Sequence, residues 1–398
     1  MKAYLFPGQG SQKKGMGEGL FEQFADLTKL ADEILGYSIR DLCLNDPEKT
    51  LGQTQYTQPA LYVVNAFHYQ RKLQDEGTPG FLAGHSLGEY NALQAAGVFS
   101  FKNGLKLVKK RGELMGKANG GAMAAVIKSS EKRIREILQE EGLTGIDIAN
   151  LNAPSQTVIS GLKEDIEKAR PFFEKDNTMF VPLNTSGAFH SRYMEDAREE
   201  FEKYVKKFKF SDPEIPVIAN VTARQYGPGE IAQNMVRQIS NCVRWTESIG
   251  YLIEEGVTEF VEIGESDVLT KLVGYIKKDV ASKRAESAKK SNIKETAAIP
   301  TKELVETRRE GAAVNDTSVE KYGASWYETS KDARELVEKW NSAFPIGTKV
   351  SSELYSGEEL ETRTEAVLLF GHRAAVYMKG YKGYFDLREI EPLTSNAV

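Results

Sequence analysis

Very little in this sequence points to metal, disulfide or membrane chemistry. Its 398 residues include only two cysteines, Cys43 and Cys242. Two thiols so far apart build neither a disulfide framework nor a metal-ligand cluster, and a reducing cytoplasm is the expected compartment. Four histidines (His68, His85, His190 and His372) are scattered without metal-ligand spacing, so no metal is expected. No stretch approaches the ~18–20 apolar residues of a membrane span. The first apolar run stops at Pro7-Gly8, too soon for a signal peptide. Charge of one sign is not in excess: 52 Lys and Arg stand against 57 Asp and Glu, a net −5. So mild a balance gives no field favouring nucleic acid or an anionic membrane. Aromatics are missing altogether between Tyr275 and Tyr322.

What is present is long enough for more than one domain of ~100–200 residues, and 40% of it is apolar, sufficient for a sizeable core. Through residues 1–275, short apolar runs alternate with longer amphipathic ones. Residues 3–6 and 81–84 read as buried strands, and 60–73 and 89–96 have helical spacing. The alternation predicts an α/β fold with a mainly parallel sheet. Residues 120–185 carry a smaller pattern. Strand candidates at 122–127, 146–151, 156–160 and 179–183 frame helix candidates at 131–141 and 163–175. That β-α-β-β-α-β order belongs to a ferredoxin-like module. The aromatic-free stretch is rich in Lys, Glu, Ala, Ser and Thr and reads as a linker, with a helical patch at 301–309. After it, a helix at 332–340 and strands at 347–355, 361–370, 374–378 and 383–387 predict a small helix-plus-β-barrel domain. Trp326, Tyr327, Trp340, Tyr381, Tyr384 and Phe385 would build its core.

The chemistry-bearing motif is Gly84-His85-Ser86-Leu87-Gly88, a G-x-S-x-G between a strand candidate and a helix candidate. Small residues around Ser86 permit a tight strand-to-helix turn that lifts its hydroxyl into the open. The helix N-terminus then aims backbone N–H groups at a developing negative charge, with the N–H of Leu87 the natural oxyanion donor. A serine nucleophile needs a base. His85 is adjacent, but neighbouring side chains at such a turn point apart. His68 lies in a helix as a structural residue, and His372 lies in the tail. His190 follows a strand candidate, in a loop that can present a base. The residues alone leave the base open, with His190 best placed.

Further patches join this motif: Phe6-Pro7-Gly8-Gln9-Gly10-Ser11-Gln12, Arg111-Gly112-Glu113-Leu114-Met115, Ala188-Phe189-His190-Ser191, Arg237-Gln238 and Arg244-Trp245-Thr246. In order and spacing they resemble the malonyl-CoA:acyl carrier protein transacylase family over about residues 1–278. The resemblance implies an α/β-hydrolase-like large subdomain with a ferredoxin-like insert at about 120–188. A linker (279–315) and a small C-terminal helix-plus-β domain (316–398) lie beyond it. It implies Ser86 as acylated nucleophile, His190 as general base and acid, and the N–H groups of Gln9 and Leu87 as oxyanion hole. The Gln238 carbonyl would orient His190, so no acidic triad partner is expected. Arg111 would pair with the free malonyl carboxylate, a planar fork meeting two oxygens. Phe189, Met115 and His85 would complete the substrate pocket, Phe189 by crowding a branch at the α-carbon. No cofactor is implied, since the coenzyme A thioester is a substrate.

The segment Thr185–Met194 is more like stand-alone acyltransferases that serve polyketide synthases than like the fatty-acid enzymes, so the implied partner is an acyl carrier protein of a polyketide synthase. Lys102, Lys106, Lys109 and Lys110, at helical spacing, form a basic face on which an acidic carrier could dock. The turn Gly264-Glu265-Ser266-Asp267 departs from the family's Gly-Pro-Gly and reads as a local variation away from the nucleophile. An editing acyl hydrolase and a silent carrier-binding scaffold are the rival readings. Arg111 argues against the first, and the intact set of Ser86, His190, Arg111 and Gln9 against the second.

Overall fold

The apolar run after Met1 forms the strand Lys2–Phe6, and Phe81–Gly84 lies beside it in parallel. The structure, a computed structural model, describes residues 1–176, 178–296, 333–352, 360–369, 373–380, 384–387 and 390–392. Both strands are apolar without alternation because both faces of their sheet are covered. Side chains alternate between two cores. Tyr4, Phe6 and Leu82 face one, while Ala3, Leu5, Phe81 and Ala83 face the other with Trp245, Ile249 and Leu272. The sheet order is Val217–Ile218, Phe81–Gly84, Lys2–Phe6, Glu259–Glu262, all parallel. Helices Thr54–Glu76, Gly88–Ala95 and Phe101–Gly116 pack together beside it.

The second sheet is antiparallel, in the order Ile146–Ala153, Gln156–Leu162, Gly121–Ile127, Met179–Pro182. Together with helices Glu131–Glu140 and Lys163–Lys175 it has the expected ferredoxin-like order. One face, with Ala124, Val126 and Ile159, packs under Ile134, Ile137, Ile166 and Phe173 of those helices. The other, with Met123, Ala125 and Val158, joins the large core. A backbone seam ties the two subdomains: Leu151 N–H donates to the Val243 carbonyl and Val243 N–H to the Ala149 carbonyl, both at 2.9 Å.

Contacts divide the chain into two units, Met1–Ile299 and Pro300–Val398. The helix Val268–Thr296 runs past residue 278, well into the stretch expected to be a linker; the patch at 301–309 lies outside the described residues. In the second unit the helix Ala333–Ala343 packs with two three-stranded antiparallel sheets. One contains Leu360–Glu361, Lys349–Ser352 and Ile390–Pro392; the other Val367–Leu369, Arg373–Tyr377 and Tyr384–Asp386. Residues 361–370, expected as one strand, split between these sheets. The strand Ile390–Pro392 was not expected; its proline is tolerated because it lies at a sheet edge. Trp340 and Phe385 belong to this core, beside Leu336, Val376 and Leu387; Trp326, Tyr327 and Tyr381 lie outside the described residues. No helix among the described residues is long and apolar enough to cross a membrane.

Candidate active site

The site is built where the strand Phe81–Gly84 turns sharply into the helix Gly88–Ala95. Ser86 sits at the turn with φ of +52°, a conformation that costs a non-glycine residue of order 1–3 kcal/mol. Its surroundings impose it. A Cβ on Gly88 would stand 2.0 Å from the Phe6 carbonyl oxygen, and one on Gly8 would stand 2.4 Å from that of His85. Only glycines let the turn close this tightly. Asn220 braces it, accepting from the Ser86 N–H at 2.8 Å and donating to the Gly84 carbonyl at 2.7 Å.

Ser86 Oγ lies 2.8 Å from Nε2 of His190. The Nδ1 of that ring is 2.8 Å from the Gln238 carbonyl, which only accepts, so Nδ1 carries the proton and Nε2 is free to take one from the serine. His190 is 4% exposed, and burial together with the positive charge of Arg111 pushes its pKa down to about 3. The imidazole is therefore neutral in the resting site, as a base must be. The four histidines thus separate. His85 turns away to Asn152, with Nε2 2.8 Å from Oδ1, and meets Trp245 edge-on. His68 faces Glu265 at 3.4 Å, and His372 lies outside the described residues.

Arg111 is 1% exposed and reaches the same point from the helix Phe101–Gly116. Its Nη1 donates to Gln58 Oε1 at 2.7 Å; its Nη2 donates to Gln238 Oε1 at 2.8 Å and to Ser86 Oγ at 3.2 Å. Its Nε has no partner, and no acidic side chain among the described residues forms an ion pair with it. Met115, on the same helix, has its sulfur 3.5 Å from Gln58 Nε2. Phe189, 5% exposed, packs into the large core beside the base. Gln9 follows the strand Lys2–Phe6 and is held through Thr54 at 3.2 Å. Neither its N–H nor that of Leu87 meets an acceptor among the described residues. Two free donors on adjoining turns beside a nucleophile are the makings of an oxyanion hole.

The turn at Gly264 has a structural task of its own. It makes no contact with Ser86, but it supports the loop that carries Gln9: Glu265 accepts from the Gly17 N–H at 2.7 Å and pairs with Lys13 at 3.2 Å. Lys102, Lys106, Lys109 and Lys110 line a bowl of about 610 Å³ with Glu33, Glu113 and Tyr204. Lys109 is already engaged, donating to the Ile34 carbonyl at 2.9 Å. No group of three or more His, Cys, Asp or Glu among the described residues could hold a metal.

Comparison with known proteins decides the family. The model of the acyl transferase domain matches residues 3–316. The chain belongs to that family. This acyltransferase is 56% identical over 282 residues to the polyketide biosynthesis malonyl CoA-acyl carrier protein transacylase PksC of Bacillus subtilis, covering 70% of this chain and 98% of that protein. Among solved structures it is similar to the malonyl CoA-acyl carrier protein transacylase of Burkholderia pseudomallei, with 53% identity and a TM-score of 0.68 over 70% of this chain and 98% of that one. It is also similar to a malonyl-transacylase solved in complex with AntF, a type II PKS acyl-carrier protein, with 35% identity and a TM-score of 0.66 over 69% and 92% of the two chains.

Sequence reasoning gave no role to Gln58, Glu89, Asn152, Asn220 or Tyr226. Each is a polar group inside an apolar neighbourhood. Asn220 follows Val217-Ile218-Ala219, and Glu89, 1% exposed, stands in the first turn of a buried helix. A polar residue in such a run must find partners inside the fold, and here the partners are the site. Glu89 accepts from the Tyr226 hydroxyl at 2.6 Å, from the Asn220 N–H at 3.1 Å and from Gln238 Nε2. Burial pushes its carboxyl up to about 7.

Proposed function

We propose that this acyltransferase moves malonyl from coenzyme A to the phosphopantetheine thiol of an acyl carrier protein, supplying a polyketide synthase in trans. The observation that carries this is Arg111, a buried guanidinium without an acidic partner, 3.2 Å from the nucleophile. A site that buries a guanidinium with no direct ion pair beside its reacting atom suits an acyl group with its own carboxylate. The polyketide role is supported by the likeness to PksC and by Ala188-Phe189 before the base.

In the first half-reaction Ser86 Oγ attacks the thioester carbonyl and its proton passes to Nε2 of His190. The Gln238 carbonyl steadies the imidazolium that forms. The N–H groups of Gln9 and Leu87 receive the oxyanion. The C–S bond then breaks, and His190 returns the proton to the departing coenzyme A sulfur. In the second half the carrier thiol gives its proton to His190 and attacks the malonyl-serine carbonyl. Ser86 leaves and recovers a proton. The kinetics are ping-pong. Every group in this sequence belongs to the chain, and coenzyme A enters as substrate rather than cofactor. The free thiols Cys43 and Cys242 suit a cytoplasmic location. We assign catalysis to residues 1–278 and treat 316–398 as a separate small domain beyond a connecting segment.

The test is intact-mass spectrometry of the full chain with malonyl-CoA, beside Ser86→Ala. A malonyl adduct that is absent in the variant and is discharged by a holo carrier protein supports the proposal. Steady release of coenzyme A without an adduct would point to a hydrolase instead, and no reaction at all to a binding scaffold.

A further inference from the structure

We propose that Glu89 is a positioning residue that sets the carboxylate selectivity of the site by fixing the side chain of Gln238. The inference rests on Ser86, His190 and Arg111 acting as just proposed. Glu89 touches neither Ser86 Oγ nor His190. Its Oε1 is held by the Tyr226 hydroxyl at 2.6 Å and the Asn220 N–H at 3.1 Å, which leaves Oε2 to accept from Gln238 Nε2. When ionised, this carboxyl only accepts, so it selects which end of the Gln238 amide faces it. The amide nitrogen also donates to the Ser86 carbonyl at 2.7 Å. The amide oxygen is thereby turned to the opposite side, where it receives Nη2 of Arg111 at 2.8 Å. Gln58 holds Nη1 at 2.7 Å, so the plane of the guanidinium is fixed from both sides.

Turning the Gln238 amide over would reverse every one of these contacts. Its oxygen would face the Glu89 carboxylate and the Ser86 carbonyl, and its nitrogen would face the guanidinium. Three repulsive contacts would replace three hydrogen bonds. The base would feel this much less, because His190 is held by the backbone carbonyl of Gln238 rather than by its amide. Glu89 therefore acts on the clamp for the acyl carboxylate more than on the proton transfer. A glutamate in a helix whose neighbours Gly88, Tyr90, Ala92 and Leu93 are all buried has no surface role to explain it.

Glu89→Gln keeps the shape but presents an amide nitrogen to Gln238 Nε2, which favours the reversed orientation. Loading of Ser86 in the full chain is followed by intact mass with malonyl-CoA and with acetyl-CoA. The expected result is a fall of about tenfold or more in the malonyl-to-acetyl ratio, the effect of weakening one charge-assisted contact. It should be carried by a higher KM for malonyl-CoA more than by kcat. Tyr226→Phe removes one donor to the carboxylate and should move the ratio the same way by a smaller factor; it carries the test if Glu89→Gln does not fold. Equal falls in malonyl and acetyl loading, or an unchanged ratio in the folded variants, would overturn the proposal. Failure of the wild-type chain to load malonyl on Ser86 would instead overturn the reading on which it rests.

Discussion

Removing the guanidinium of Arg111 should convert a malonyl-selective site into an indifferent one. In the resting structure Arg111 makes three side-chain hydrogen bonds and no direct ion pair, reaching Glu89 only through the Gln238 amide. An incoming carboxylate would add two charge-assisted bonds, each contributing about 1.5–3 kcal/mol. Loss of both in Arg111→Ala should lower kcat/KM for malonyl-CoA by roughly 10²–10⁴-fold, since 1.4 kcal/mol corresponds to a factor of about ten. Acetyl has no carboxylate to lose, and its entry no longer leaves a buried cation unpaired. Its loading should change by less than about tenfold. The variant also strands Gln58 Oε1 and Gln238 Oε1 as acceptors, so a lower melting temperature is expected at about 1–3 kcal/mol per group left unsatisfied. Rapid-quench intact-mass measurement of the first turnover, at a temperature where both proteins are folded, separates the two effects. Parallel losses for malonyl and acetyl would refute the reasoning and make Arg111 a brace for Ser86 rather than a clamp.

Gly88→Ala should fail to fold or lose well over about 1–3 kcal/mol, the usual range for overpacking, because the new methyl would meet the Phe6 carbonyl at 2.0 Å; denaturant unfolding checks this, with Gly52→Ala, where the same methyl meets nothing, as the tolerant control. His190 is held at a folded pKa of about 3 against an unfolded value of ~6.5. The unfolded state therefore binds the extra proton, and this part of the stability, present above pH ~6.5, is lost as pH falls toward 3. Melting curves of wild type and His190→Ala should consequently converge on acidification, and curves that stay parallel would contradict it. Charge reversal at Lys106 and Lys110, which line the lysine-rich bowl, should raise the KM for an acidic carrier protein; an unchanged KM would discard the docking face.

Where the sequence was legible, hydrophobic periodicity and small-residue turns carried the signal. The strand Phe81–Gly84 and the helix Lys163–Lys175 were readable to the residue because Pro, Gly and charge changes mark their ends. The second unit was less so. Residues 361–370 alternate like one strand, yet pairing partners on two different sheets divide them, and pairing is not written in local pattern. In the site, Ser86 announced itself through its glycines. Its base did not, since four histidines were available and only tertiary contact singles out His190. The hidden group is the polar bracing. Gln58, Asn220 and Tyr226 look unremarkable in one dimension, and their importance lies in being far apart in sequence and adjacent in space.

The backbone seam between Leu151 and Val243 has a mechanical consequence. Val243 lies a few residues beyond Gln238, whose carbonyl anchors the His190 imidazole, and Asn152, next to Leu151, holds His85, the residue before Ser86. The small subdomain thus grips both reacting side chains through their neighbours. Both Ser86 and His190 are thereby tied to one strand, Ile146–Ala153, so a displacement of that strand would act on the two together.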